Sequence, residues 1–359
     1  MTVGGWPGAN AGGFVVGWDP SDLDANCPRR YLPSASSTRH HRRGAVTAPA
    51  IFTQGLTKYY GHVRGVEDLD MEVHQGEVFG FLGPNGAGKT TTLRLLLDLI
   101  RPDKGRANIL GLDVRNERTA VHRAIGYLPG ELAMWPELTG ADNLEYLARL
   151  RGGVDAGYLT QLLERLDVDA TRRFREYSRG NKQKVGLVQA FMHRPQVLLL
   201  DEPTSGLDPL VQNVFHDLVC EAAADGRTVF LSSHVLSEVE RMCHRAGIIR
   251  DGRLVRVAKV GELGMGAVHL VRLVFRSAVS ADAFASVPGL RDVAIQAPVA
   301  GADGATVITA TLTGDPSPLL DTARSYDLME FESRRPSLEE LFLTYYDTEG
   351  PDTGSGAAE

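Results

Sequence analysis

Gly83-Pro84-Asn85-Gly86-Ala87-Gly88-Lys89-Thr90, followed by Thr91 and Thr92, is the stretch from which the rest of the chain is read. It fits the pattern G-x-x-x-x-G-K-[ST], which binds phosphate when it joins a strand to a helix. Both flanks agree with that context. Glu77–Leu82 is a short apolar run of strand length, and Thr91–Ile100 carries Leu93, Leu96, Leu97 and Ile100 at helical spacing. Glycines let backbone N–H groups turn inward on phosphate oxygens. The helix N-terminus adds partial positive charge. Lys89 is placed to reach β- and γ-phosphates, and the Thr90 hydroxyl to hold Mg²⁺.

The chain has 359 residues, enough for more than one domain. Its net charge of -7 argues against a general nucleic-acid binder, which would carry a basic face. Cys27, Cys220 and Cys243 are scattered without metal-ligand spacing, a usage that suits a reducing compartment. No apolar run approaches the length of a membrane span, so a membrane role has to come through a partner chain.

Residues 1–48 hold Gly4-Gly5, Gly12-Gly13 and scattered prolines, lack periodicity, and approach their end through Arg39-His40-His41-Arg42-Arg43. They read as a disordered extension, or as sequence upstream of a translation start near Val46. From Ala50 the chain becomes regular. Ile51–Leu56 and Leu69–Val73 alternate as strands, and Tyr60 between them is placed to stack on a purine, with Tyr59 as its neighbour. Arg106–Leu110 and Ala124–Leu128 read as further strands. Thr139 and Asp142 have capping-box spacing ahead of Leu144, Leu147, Ala148 and Leu150, and Tyr158–Leu166 forms a second helix. Residues of about 139–178 are therefore expected to form a helical insert.

Val197–Asp201 is an apolar run ending in a carboxylate, as in a buried parallel strand, with Glu202 next. Carboxylates at the C-terminal ends of such strands face the ligand crevice of an open α/β sheet. Asp201 is suited to holding Mg²⁺ and Glu202 to orienting or deprotonating the attacking water. Thr228–His234 repeats the pattern, a strand ending in a histidine, and Ala246–Arg250 is a further strand.

Taken in order, Gly83–Thr90, Tyr177-Ser-Arg-Gly-Asn-Lys-Gln-Lys184, Val197–Glu202, Ser205-Gly-Leu-Asp208 and His234 resemble the ATP-binding subunit of an ABC transporter over residues of about 51–258. The resemblance implies a P-loop NTPase α/β core with a β-subdomain and a helical insert, spanning 49–262. It implies that Pro84, Asn85, Gly86, Ala87, Gly88, Lys89, Thr90 and Thr91 bind ATP with Gly83. Tyr60 takes the adenine-stacking position. Thr90 and Asp201 serve Mg²⁺, Glu202 the water, and His234 the γ-phosphate. Ser178, Arg179, Gly180 and Asn181 fall where a Leu-Ser-Gly-Gly-Gln signature closes over ATP held by the opposite subunit, and Asp208 lies in the loop linking the two sites. Tyr177, Arg179 and Asn181 depart from the signature. Gly130 stands where a glutamine is usual, and the adjacent Glu131 is the available replacement.

Residues 267–347 read as a small α+β accessory domain. Its strands are Val268–Phe275, Val293–Gln296, Thr306–Leu312 and Met329–Glu332, its helices Asp282–Ser286, Pro316–Tyr326 and Ser337–Leu343. Its Pro-Ser-Leu-Glu-Glu-Leu-Phe ending is similar to the C-terminal extension of bacterial daunorubicin-resistance-type exporter ATPases. Residues 348–359 read as a disordered tail. The resemblance implies a second copy or a paralogous ATPase as dimer partner, and a separate transmembrane permease at the cytoplasmic face of a bacterial-type membrane. It also implies export of a drug, antibiotic or lipid-like compound. The rival expectations are a soluble ABC ATPase, or a nucleotide sensor without a transport role.

Overall fold

The computed structural model describes residues 48–263, 268–296 and 306–334. The chain begins with strands β1 (Ile51–Tyr60), β2 (Val63–Val73) and β3 (Val78–Leu82), then helix α1 (Lys89–Leu96), β4 (Lys104–Ile109) and β5 (Leu112–Asp113). Next come α2 (Arg118–Ala124), β6 (Ile125–Leu128), α3 (Gly140–Leu150), α4 (Ala156–Arg165) and α5 (Arg179–Phe191). β7 (Val197–Asp201), α6 (Pro209–Ala224), β8 (Thr228–Ser233), α7 (Leu236–Met242), β9 (Arg245–Arg250) and β10 (Arg253–Lys259) follow. The remaining elements are β11 (Val268–Phe275), β12 (Leu290–Gln296), β13 (Thr306–Thr313), α8 (Ser317–Arg324) and β14 (Leu328–Arg334).

The central sheet has the order β10-β9-β3-β8-β7-β6, parallel throughout except for the edge strand β10. Every residue of β3, β7 and β8 is buried, because both faces are covered, as a parallel sheet requires. Alternate side chains serve two cores. Val78, Leu82, Leu198, Leu200, Val229 and Leu231 face the side covered by α5, α6 and α7. Phe79, Phe81, Val197, Leu199 and Phe230 face α1 and the antiparallel sheet β2-β1-β4-β5. Phe230 stacks on Phe79 at 5.7 Å between ring centroids and packs against Phe81 at 5.3 Å. The adjacency of β3, β8 and β7 sets their C-terminal ends side by side, which positions the site.

The helical insert forms where its capping signals lie. Thr139 caps α3 and exchanges hydrogen bonds with Asp142, closing a capping box worth about 1 kcal/mol. A bridge between Thr139 and Arg173 ties the two ends of the insert together. Phe174 and Tyr177 pack edge to face at its exit.

β11 to β14 form a separate antiparallel sheet of order β12-β13-β11-β14. That order and the β13–α8–β14 connection are those of a split βαβ, ferredoxin-like arrangement. Only a short 3-10 turn, Ala281–Phe284, occupies the first helical position. This sheet has its own core, centred on Leu273, Phe275, Phe284, Ile308 and Leu319.

Several elements differ from the sequence reading. β1 and β2 run on to Tyr60 and back from Val63, so Tyr60 ends a strand rather than lying in a loop. α1 starts earlier and stops at Leu96 instead of Ile100. Asp98 adopts φ 51, and Leu99 and Asp98 donate to the carbonyls of Arg94 and Leu95 at 2.9 and 3.1 Å. That is a Schellman stop formed without glycine, which is why sequence periodicity overran it. The helix expected at Asp282–Ser286 is the 3-10 turn. α2, β5, α6, α7 and β10 were not anticipated. The helix expected at Ser337–Leu343, residues 1–47 and the tail lie outside the described residues.

His193 follows α5 and bonds through Nε2 to the Ile125 carbonyl at 3.1 Å. Burial, reinforced by the Arg151 charge and partly opposed by that bond, pushes its pKa down to about 4. The unfolded chain, with an ordinary value of about 6.5, takes up this proton first. The contribution of His193 to stability is therefore complete above that value and is lost as pH falls from there towards 4. Thermal unfolding at pH 7 and pH 5 should show a smaller drop in Tm for His193→Gln than for the unaltered chain.

Candidate active site

The loop after β3 packs tightly against β2. Gly88 sits at φ 108, and a Cβ there would lie 2.5 Å from the Gly65 carbonyl oxygen, so only glycine fits. Lys89 begins α1 and is buried. Its Nζ donates to the carbonyls of Gly83 at 2.6 Å and Pro84 at 3.1 Å and pairs with Glu202 Oε1 at 3.2 Å. Asn85 and Gly86 stand exposed at the tip, while Ala87 is buried. Tyr60 is 46% exposed. A Cβ on Gly65 would lie 2.9 Å from its ring and 3.1 Å from the Thr91 methyl. The aromatic face thus stands one glycine away from the phosphate loop.

Asp201 ends β7, 1% exposed. A buried carboxylate needs partners, and it has two hydroxyls: Thr90 Oγ1 donates to Oδ2 at 2.8 Å and Ser232 Oγ to Oδ1 at 2.6 Å. Ser232 Oγ also accepts the Glu202 N–H at 3.1 Å, so one β8 hydroxyl sets both carboxylate residues. Glu202 adopts φ 50, a left-handed conformation that costs a residue with a side chain about 1–3 kcal/mol. Its carbonyl and that of Pro203 accept from Gln183 Nε2 at 3.2 and 3.0 Å. This turn aims the Glu202 carboxylate between Lys89 and His234, whose Nδ1 bonds Oε2 at 2.6 Å. Tyr127, on β6, is pushed up to about 12 by burial and secondarily by the Asp201 charge, so its phenol keeps its proton.

Ser178 is the N-cap of α5, its Oγ accepting from the Asn181 N–H at 3.2 Å. Tyr177, in the signature's first position, is buried and donates to the Asp169 carbonyl at 2.6 Å. It anchors the helical insert. The Arg179 guanidinium donates to Ser205 Oγ at 2.9 Å, and Gly180 faces the Gly206 carbonyl. Asp208 caps α6, accepting from the N–H groups of Leu210 and Val211 at 3.0 and 3.1 Å. Gly130 lies beside Asp201, a Cβ there falling 3.3 Å from Oδ2. Glu131 is exposed and forms no hydrogen bond or ion pair among the described residues.

The structure brings Lys89, Thr90, Asp201, Glu202 and His234 into one array, with Tyr60 at its edge. The signature residues and Asp208 are not part of that array; they face outward on α5 and at the start of α6. The oxygen-only set of the Thr90 hydroxyl and Asp201 carboxylate suits a hard divalent cation. The glycine-lined loop with Lys89 suits a polyphosphate. Sequence reasoning missed Ser232, Gln183 and Gly65. Two consecutive serines in the otherwise apolar β8 were the available signal for the first; nothing local marks the other two.

A family model described as ABC transporter matches residues 66–205. The bacitracin transport ATP-binding protein BcrA of Enterococcus faecalis is 36% identical over 216 residues, covering 59% of this chain and 70% of that protein. The daunorubicin resistance ATP-binding protein DrrA3 of Streptomyces coeruleorubidus is 34% identical over 305 residues, covering 82% and 95%. A solved structure described as the ATP binding subunit of an ABC transporter has a TM-score of 0.56 at 28% identity, covering 60% of this chain and 91% of that one.

Gly65→Ala tests whether Tyr60 and the loop act together. The added methyl should displace the Tyr60 ring and weaken nucleotide binding several-fold, read by equilibrium titration. Unchanged affinity together with an unchanged Tm would disconnect this contact from binding.

Proposed function

The chain belongs to the ABC transporter ATP-binding family, and we propose that it hydrolyses Mg·ATP to power a separate transmembrane permease that exports a drug, antibiotic or lipid-like compound. The observation that carries this reading is the continuous array from Thr90 through Asp201 and Ser232 to Glu202 and His234, closed by Lys89. The relatives named for bacitracin transport and daunorubicin resistance support export. We take residues 49–262 as the ATPase unit and 267–347 as an accessory unit.

In this reading the loop N–H groups and Lys89 hold the phosphates and Tyr60 stacks on the base. Thr90 and Asp201 hold Mg²⁺, which would neutralise charge on the β- and γ-phosphates. Gly130 offers the cation no side chain, and the adjacent Glu131, exposed and without a hydrogen bond or ion pair among the described residues, is the available replacement. Glu202 accepts a proton from, or orients, the attacking water. His234 keeps its hydrogen bond to Glu202 through Nδ1, so it can donate to a γ-phosphate oxygen through Nε2 only as the imidazolium. Catalysis then rests on positioning and charge neutralisation. A second copy or a paralogous cassette would supply Ser178 and the N-terminus of its α5 to the same ATP.

Among the described residues no helix is long and apolar enough to cross a membrane. A cavity of about 360 Å³ is lined mainly by apolar side chains, among them Leu99, Pro129, Leu132, Met134 and Trp135, with His122, Arg151 and Gln189 also on its wall. Leu99 and Trp135 are 52% and 46% exposed there. We read this apolar groove as the seat of a permease segment and propose on that reading that the chain sits peripherally at the cytoplasmic face.

Glu202→Gln should bind ATP as the unaltered chain does and lose turnover by about a hundredfold or more, the range of general acid–base assistance. Lys89→Ala should weaken nucleotide binding itself, by about tenfold, through loss of a charge-assisted phosphate contact. Wild-type-like hydrolysis by Glu202→Gln would sink the assignment of that residue.

A further inference from the structure

Arg179 replaces a glycine of the family signature, and its partner lies in its own chain. Its guanidinium donates to Ser205 Oγ at 2.9 Å. Its stem covers Gly206, with Cγ and Cδ 3.6 and 3.7 Å from where a Cβ on that glycine would sit. Gly180 meets the same segment, its Cβ position 2.6 Å from the Gly206 carbonyl oxygen. One turn further along α5, Gln183 grips the carbonyls of Glu202 and Pro203. Arg179 and Gln183 are four residues apart and therefore share a helix face. Together they hold both ends of the segment from Glu202 to Gly206. That segment is stiffened internally, Ser205 donating to the Glu202 carbonyl and Leu207 to that of Thr204, both at 3.1 Å.

We infer that Arg179 is a positioning residue that couples Ser178 at the start of α5 to Glu202 in the same chain. ATP held by the opposite cassette would then set this chain's hydrolytic carboxylate when it reaches Ser178. The inference rests on the reading of Glu202 and of the signature given above. Any shift of the first turn of α5 is transmitted at two points to a segment whose first residue is Glu202. With glycine at position 179, Gln183 would be the one side chain left to grip that segment, beside the backbone contact of Gly180. The guanidinium has no carboxylate partner among the described residues, so its hydrogen bond to Ser205 is not shared with an ion pair.

The test is a double-mutant cycle on ATP turnover against ATP concentration, with Arg179→Ala, Ser205→Ala, the double variant and Arg179→Lys. Each alanine variant should lower kcat about tenfold, the loss expected of one hydrogen bond to a charged donor. KM should stay unchanged and the Hill coefficient should fall. The double variant should be no worse than either single one, since both remove the same contact. Arg179→Lys should recover most of kcat, because an ammonium can still donate to Ser205. A Ser205→Ala variant with unaltered kcat, beside an Arg179→Ala variant with raised KM, would overturn the inference and make Arg179 a direct contact to the partner's ATP. An additive cycle would also overturn it. Absence of turnover in the unaltered chain would count against the hydrolase reading. The coupling is then read by hydrogen exchange at the Ser205 and Leu207 amides, which Mg·ATP should slow in the unaltered chain and not in Arg179→Ala. Equal slowing in both would contradict it.

Discussion

The Asp201 carboxylate is buried at the junction of three elements, and the site depends on how it is satisfied. A charged group out of water needs hydrogen bonds from close neighbours. Here Thr90 brings the start of α1 and Ser232 brings the end of β8 to the end of β7. Register in the parallel sheet does the rest, since Asp201 pairs with Ser232 across adjacent strands. A slip of one residue would turn Ser232 to the opposite face and leave Asp201 Oδ1 without its hydrogen bond.

The same bonds prepare chemistry. Ser232 also fixes the Glu202 N–H, and Gln183 fixes its carbonyl, so a strained backbone turn is held from both sides. The two apolar layers on either face of the sheet supply the stability that tolerates this strain. Around that rigid centre the charges are economical. Lys89 is shared between loop carbonyls and Glu202, and Glu202 between Lys89 and His234. In the ATPase reading, phosphates would compete with Glu202 for Lys89, so binding would free the carboxylate for water.

Much of this was legible in the sequence because the chemistry demands particular residue types. Gly83–Thr90 was marked by its glycine and lysine spacing after a strand-length apolar run, and the Asp201-Glu202 pair and His234 by strands ending in polar residues. Thr139 and Asp142 announced α3 through reciprocal capping. What escaped depends on contacts distant in sequence. Gly65 is required because Tyr60, Thr91 and Gly88 converge on it. Gln183 reads as an ordinary helix residue until the segment from Glu202 lies against it. The end of α1 escaped for a different reason: aspartate took the left-handed position usually marked by glycine, held by ion pairing with Arg101 at 2.8 Å. Arg179 stood out in the sequence only as a departure from the signature; the fold sets its guanidinium on Ser205 of its own chain.

In the ATPase reading, two copies of this chain would close on ATP held between the phosphate loop of one and the signature of the other. Light scattering of Glu202→Gln with and without Mg·ATP tests it most directly, because that variant should trap the closed state. The mass should change from monomer to dimer on adding Mg·ATP. A mass that stays monomeric while ATP binding is confirmed separately would contradict it.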